Sequence, residues 1–176
     1  MRILIMPDSF KGSLAAVDVA AAMARGIATA MPSATIVQLP VGDGGENTII
    51  NLQKPLQLQK VMTTVTGADG RAINAPYYLQ VSNQTAFIQA ADVVGFADYV
   101  GNAEPLQLST YGIGELLLAA RANGARHAVI ALGGSATSDG GLGMLQALGW
   151  QVGSKRPLTP ACLPDVTVLT AGPDIG

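Results

Sequence analysis

The segment Gly133-Gly134-Ser135-Ala136-Thr137-Ser138-Asp139-Gly140-Gly141 gathers glycines, hydroxyls and one carboxylate into a short stretch. An apolar run at 128–132 leads into it and another at 142–148 leads out, a pattern that predicts a buried strand, a glycine turn and a helix. Such a turn can bare several backbone N–H groups beside the positive end of the helix dipole, where anions and above all phosphates bind well. The spacing is neither Walker A nor the dinucleotide fingerprint, so the regular motifs do not name the ligand. A tight strand-to-helix crossover, with glycine merely permitting close packing, would use similar residues.

Three further segments share this character. Asp8-Ser9-Phe10-Lys11-Gly12-Ser13-Leu14 stands where a first strand ends and a first helix begins. Its lysine could place a point charge on a phosphate or carboxylate, or simply be solvated at an ordinary capped helix start. Gly42-Asp43-Gly44-Gly45-Glu46-Asn47-Thr48 follows the second strand. Its two carboxylates suit magnesium, general-base work or a substrate hydroxyl, although Asp and Gly also dominate plain surface turns. Ser109-Thr110-Tyr111-Gly112-Ile113-Gly114-Glu115 opens a third helix and reads equally well as a cap and a loosened first turn. Each is weak alone, but all sit at strand ends or helix starts. Phosphoryl transfer is mostly positioning and charge neutralisation, and it needs this inventory plus magnesium.

Other chemistry finds little support. His127 is the lone histidine and precedes the strand whose opposite end carries the glycine turn, so it reads as structural. Cys162, the single cysteine, has no activating neighbourhood and no disulfide partner, which fits a reducing cytoplasm. No His/Cys cluster suggests zinc.

The elements that must position these groups follow from periodicity. The chain has 176 residues, 49% hydrophobic and only 12% charged, with a net charge of −2 and no Lys/Arg cluster. That predicts a well-buried body and argues against nucleic acid or an anionic membrane as partner. No charged-then-apolar leader opens it, and the alanine-rich stretch 14–31 is interrupted by Asp18 and Arg25, so a helix within the fold is expected there. Residues 2–6 and 34–39 read as strands around a helix capped by Ser13, with Leu14, Val17, Ala21, Ala24 and Ala28 as its apolar stripe. This is a right-handed parallel βαβ unit, and ligands gather at the carboxyl ends of such strands. From residue 60 the texture changes to an antiparallel meander at 61–66, 75–80 and 85–90, then a helix at 110–123 closed by Gly124. The tail beyond Trp150, with Pro157, Pro160, Pro164 and Pro173, reads as loop with one short strand at 166–169. The fold class expected is α/β: a Rossmann-like parallel βαβ unit at 1–58 plus a second mixed α/β domain with an antiparallel meander at 59–176.

DSFKGSL at 8–14, GDGGENT at 42–48, STYGIGEL at 109–116 and GGSATSDGGLGMLQALG at 133–149 resemble the bacterial glycerate kinases over residues 1 to about 150. The resemblance implies ATP-dependent phosphorylation of D-glycerate with magnesium, in a cleft between two α/β domains, one Rossmann-like and the other inserted into it. Asp8, Ser9 and Lys11 fall in the family's first motif. Asp43, Gly44, Gly45 and Glu46 fall in its second, and residues 133–141, with Gly133, Gly134, Ser135, Thr137, Asp139, Gly140 and Gly141, in its third. By their chemistry, Lys11 and the glycine turn would hold anionic groups, while Asp43 or Asp139 would orient magnesium or accept the hydroxyl proton.

The chain departs from the family pattern at Gly42, usually alanine, at Asn47, usually glycine, and at Ser138, usually asparagine. Gln89 stands where a glutamate is common, which leaves open a second reading: a non-catalytic nucleotide- or sugar-acid-binding module. Family members are about twice as long, so the resemblance covers their N-terminal part. An incomplete sheet would expose an edge, and pairing two copies as a homodimer is one way to cover it.

Overall fold

The computed structural model describes residues 1–99, 101, 103–152 and 158–172. It is a mixed α/β structure with parallel and antiparallel sheets, as the periodicity implied. Strand β1 (Arg2–Ile5) pairs in parallel with β2 (Thr35–Gln38), from Arg2 opposite Thr35 to Ile5 opposite Gln38, and helix α1 (Ala16–Ala30) crosses between them. Ile5, Ala20 and Ala24 form the buried centre of this unit, with Ile3, Ile27 and Ile36 around them. The other face of β1 is bare, with Leu4 and Met6 at least half exposed.

Two local expectations fail here. Ser13 is not the helix cap: residues 10–14 close on themselves, with the Ser13 and Leu14 N–H groups donating to the Phe10 carbonyl at 2.8 and 3.1 Å. The helix therefore starts later, with Ala15 at the cap position and no side-chain cap. Its buried face is Ala16, Val19, Ala20 and Ala24, leaving Val17 exposed. Small alanines let the helix lie close on a thin two-stranded sheet, so bulk along the stripe did not decide which face turned inward.

The second sheet has the order β3 (Gln59–Thr66), β4 (Ala72–Gln80), β5 (Thr85–Gln89), β6 (His127–Ala131). The first three form the expected antiparallel meander, while β5 and β6 run parallel with Gln89 opposite Ala131. Side chains alternate along the strands. Tyr77, Ala86 and Ile88 face the larger core, shared with Leu116 of helix α5 (Tyr111–Ala122) and with Val93 and Val94 of the short helix α3 (Ala91–Val94). A second short helix, α4 (Phe96–Tyr99), ends on Tyr99, whose phenol oxygen accepts the Ala68 N–H at 3.1 Å; burial pushes this phenol's pKa up.

On the opposite face, Tyr78, Phe87 and Ala131 pack with Ile49 of helix α2 (Thr48–Gln53) and with Leu58. Leu52 and Leu56, between these two, join the same cluster, so the segment that links the sheets packs against the second. The strand at 128–132 was expected to be buried, yet β6 is an edge with Val129 46% exposed, and Leu132 just beyond it is 71% exposed. An apolar run alone does not tell an edge from a centre. After helix α6 (Leu142–Ala147), the tail forms a two-stranded ribbon of β7 (Gln151–Val152) and β8 (Leu169–Thr170), with a 3-10 turn at Pro160–Asp165. Pro157 and Pro173 lie outside the described residues.

Candidate active site

Parallel pairing of β5 with β6 brings their carboxyl ends side by side, and the loop at 42–47 lies across the opening. The Gly133 N–H donates to the Gly44 carbonyl at 2.7 Å. A Cβ on Gly133 would stand 2.4 Å from the Gly45 Cα, so only glycine admits this approach. The loop is folded by its own polar groups: Thr48 Oγ1 accepts the Gly44 N–H at 3.0 Å and Asp43 Oδ1 accepts the Gly45 N–H at 2.9 Å. Gly44 and Asn47 occupy the left-handed region at φ 94° and 66°. Asparagine tolerates that conformation better than most other side chains.

These loops face the one that follows β1. Asp8, Ser9, Lys11, Asp43, Gly45, Glu46, Gly133 and Gly134 together line a cleft of about 150 Å³. Sequence-separated segments expected to carry chemistry thus meet in one place. Asp8 Oδ1 accepts the Ser9 N–H at 2.6 Å, which holds the start of the lysine loop. Gly134 is pinned through its carbonyl, which accepts from Phe96 N–H at 2.7 Å. Its own N–H finds no protein acceptor among the described residues. One ammonium and one uncommitted amide border this small polar cleft beside the carboxylates of Asp8, Asp43 and Glu46, a setting that suits an anion accompanied by a cation.

The rest of the glycine segment does something else. Ser135, Thr137, Asp139, Gly140 and Gly141 are not among the cleft-lining residues. Ser135 Oγ donates to the Leu132 carbonyl at 3.0 Å, and the Ala136 N–H donates to the Val94 carbonyl at 2.8 Å. Asp139 is 1% exposed. Its Oδ2 accepts from Thr110 N–H and Oγ1, both at 2.8 Å, and from Gly143 N–H at 3.1 Å, while Oδ1 accepts from Gly141 N–H at 3.0 Å. Thr110 Oγ1 in turn accepts the Met144 N–H at 3.0 Å. The start of α6, expected to offer its amides to a phosphate, is thus capped from within the protein. Asp139, expected at the reacting centre or on a metal, is a buried cap joining the starts of α5 and α6.

A larger groove of about 670 Å³ lies between α5 and β6, lined by Leu117, Leu148, Arg126 and His127 among others. It has no carboxylate in its lining, so the smaller cleft is the better chemical candidate. His127 stands in that groove, outside the cleft.

Magnesium commonly keeps several waters and takes one or two protein carboxylates plus substrate phosphates. Asp8, Asp43 and Glu46 offer carboxylates on that pattern, and Asp139 does not. Among the described residues no group of three or more His, Cys, Asp or Glu could hold a metal ion unaided. The cleft fits an ion that arrives with a phosphate.

Gln89 and Thr110 were not predicted as organising residues. Gln89 Nε2 donates to the Gly45 carbonyl at 2.7 Å, and its Oε1 accepts the Ile49 N–H at 3.2 Å. The available signal was a lone amide ending the apolar run Ala86-Phe87-Ile88, since a polar side chain in such a run needs partners.

The sequence pattern of the glycerate kinase family matches residues 3–161. The chain belongs to that family. It is 41% identical over 150 residues to a glycerate kinase of Bacillus cereus, covering 85% of this chain and 39% of that protein. A glycerate 2-kinase of Escherichia coli K12 gives the same identity and coverage. In three dimensions it superposes on a candidate glycerate kinase 2 from Salmonella typhimurium LT2 with a TM-score of 0.75 at 38% identity, covering 90% of this chain and 43% of the other. The chain thus spans about two fifths of the length of these curated relatives. No helix among the described residues is long and apolar enough to cross a membrane.

Proposed function

We propose that this member of the glycerate kinase family contributes the phosphate-handling cleft for ATP-dependent phosphorylation of D-glycerate. The observation that carries this reading is the convergence of Lys11, Asp43, Glu46 and the Gly133–Gly134 backbone on one cleft. Lys11 would neutralise the transferring phosphoryl group, and the Gly134 N–H would donate to one of its oxygens. Magnesium, when bound, would spread and offset the phosphate charge. Asp43 would take the proton of the attacking glycerate hydroxyl as its oxygen bonds to the γ-phosphorus and the bond to ADP breaks; with Asp139 committed as a cap, Asp43 is the carboxylate of the original pair that remains in the cleft for this role, beside Asp8 and Glu46, which could serve the metal.

A second reading, binding without transfer, starts from Gln89, a neutral amide beside the cleft where the resemblance leads one to expect a carboxylate. Residues 1–176 alone would then bind nucleotide but turn over weakly unless a further segment completes the cleft. A coupled ADP-release assay with D-glycerate and magnesium, run beside a calorimetric ATP titration, separates the two. Binding with turnover supports kinase action by this chain, binding without turnover supports the module, and no binding defeats both. Membership of a cytoplasmic sugar-acid pathway, and pairing of two copies through the exposed β6 edge, belong to the same proposal.

A further inference from the structure

Gln89 ends β5 and is 3% exposed. Its amide reaches both shoulders of the loop that walls the cleft. Nε2 donates to the Gly45 carbonyl at 2.7 Å and to the Gly44 carbonyl at 3.4 Å, and Oε1 accepts the Ile49 N–H at the start of α2 at 3.2 Å. The Gly44 carbonyl also receives the Gly133 N–H. One side chain thus ties the loop, α2 and the glycine turn to the end of the sheet. Two acceptors and one donor face this amide, so a donor and an acceptor are both required of it. An ionised carboxylate would set its charge against two carbonyl oxygens, and an apolar isostere would leave buried backbone groups unpaired.

We infer that Gln89 is a positioning residue: its neutral amide fixes the 44–45 loop against Gly133 and thereby sets the width of the phosphate cleft. The position that looked like a lost catalytic carboxylate is in this chain a clip that needs an N–H donor. The phosphate part of this statement rests on the function proposed above; the clip itself does not.

The test uses the full chain as wild type, Gln89→Met and Gln89→Glu, between pH 5 and 8. Protection of the Gly133 and Ile49 amides is measured by hydrogen exchange, and affinity for ATP with magnesium by titration. Ionisable groups on the surrounding elements are Asp43 and Glu46 in the loop, Asp8 and Lys11 across the cleft, Asp92 on α3 and His127 at the far end of β6. Wild type at each pH cancels their contribution. Gln89→Met is expected to lower Gly133 protection about tenfold or more at every pH. Gln89→Glu should match wild type near pH 5, where a protonated carboxyl still donates, and fall to the methionine level by pH 8; ATP affinity should follow the same pattern. Wild-type protection of Gly133 in either variant at pH 8 overturns the inference, as does a Gln89→Glu response that ignores pH. If the exchange pattern holds while wild type binds no ATP, the clip stands and the kinase reading falls.

Discussion

The Gly133 N–H donates to the Gly44 carbonyl at 2.7 Å, joining two glycine loops main chain to main chain across the cleft. The contact has no room for a side chain. A methyl group on Gly133 would meet Gly45 N at 2.5 Å and Gly44 C at 2.8 Å, and backbone atoms cannot rotate out of the way. Gly133→Ala should therefore cost about 1–3 kcal/mol of stability. Urea unfolding measures this, and a change within 0.5 kcal/mol, typical of a neutral surface substitution, would count against the contact.

Lys11 is exposed at the mouth of the cleft, so little of the fold depends on it. Lys11→Ala should leave the unfolding midpoint nearly unchanged while weakening ATP binding about tenfold or more, the size of one lost charge-assisted contact. Calorimetric titration of both proteins at low salt checks it. Lys11→Arg should recover only part of the affinity, because a fork replaces a compact point charge.

Asp139 makes the opposite prediction. Its two oxygens take donors from Thr110, Gly141 and Gly143 in a buried setting. Asparagine would turn an N–H group towards at least one of those donors. Asp139→Asn should lose about 2–3 kcal/mol of stability. At low temperature the folded fraction should bind ATP as wild type does. A stable variant with abolished phosphate transfer would restore Asp139 to the reacting centre.

Much of this arrangement was legible in the sequence, and the exceptions have physical causes. The parallel unit around Ile3 and Ile5 and the meander of 59–89 follow from local apolar periodicity and turn residues. So does the helix closed by Gly124, whose φ is 90°. The cleft-lining set Asp8, Ser9, Lys11, Asp43, Gly45, Glu46, Gly133 and Gly134 was flagged from glycine loops at strand ends. Two things depended on contacts distant in sequence. Asp139 is separated by 29 residues from Thr110, the partner that turns it from a candidate ligand into a cap. Gln89 reaches loop atoms 44 residues away, and no local pattern tells an amide clip from a missing carboxylate. The face of α1 was misplaced because alanine is too small to weight one side of a helix over another.

The measurement that bears most directly on the cleft is an amide-resolved NMR titration of the chain with ATP and magnesium. The phosphate reading predicts saturable shifts at Gly44, Gly45, Gly133 and Gly134, with Gly141 and Gly143 nearly still because their N–H groups are held by Asp139. Shifts confined to Gly141, Gly143 and the start of α6, or none at either group, would contradict it.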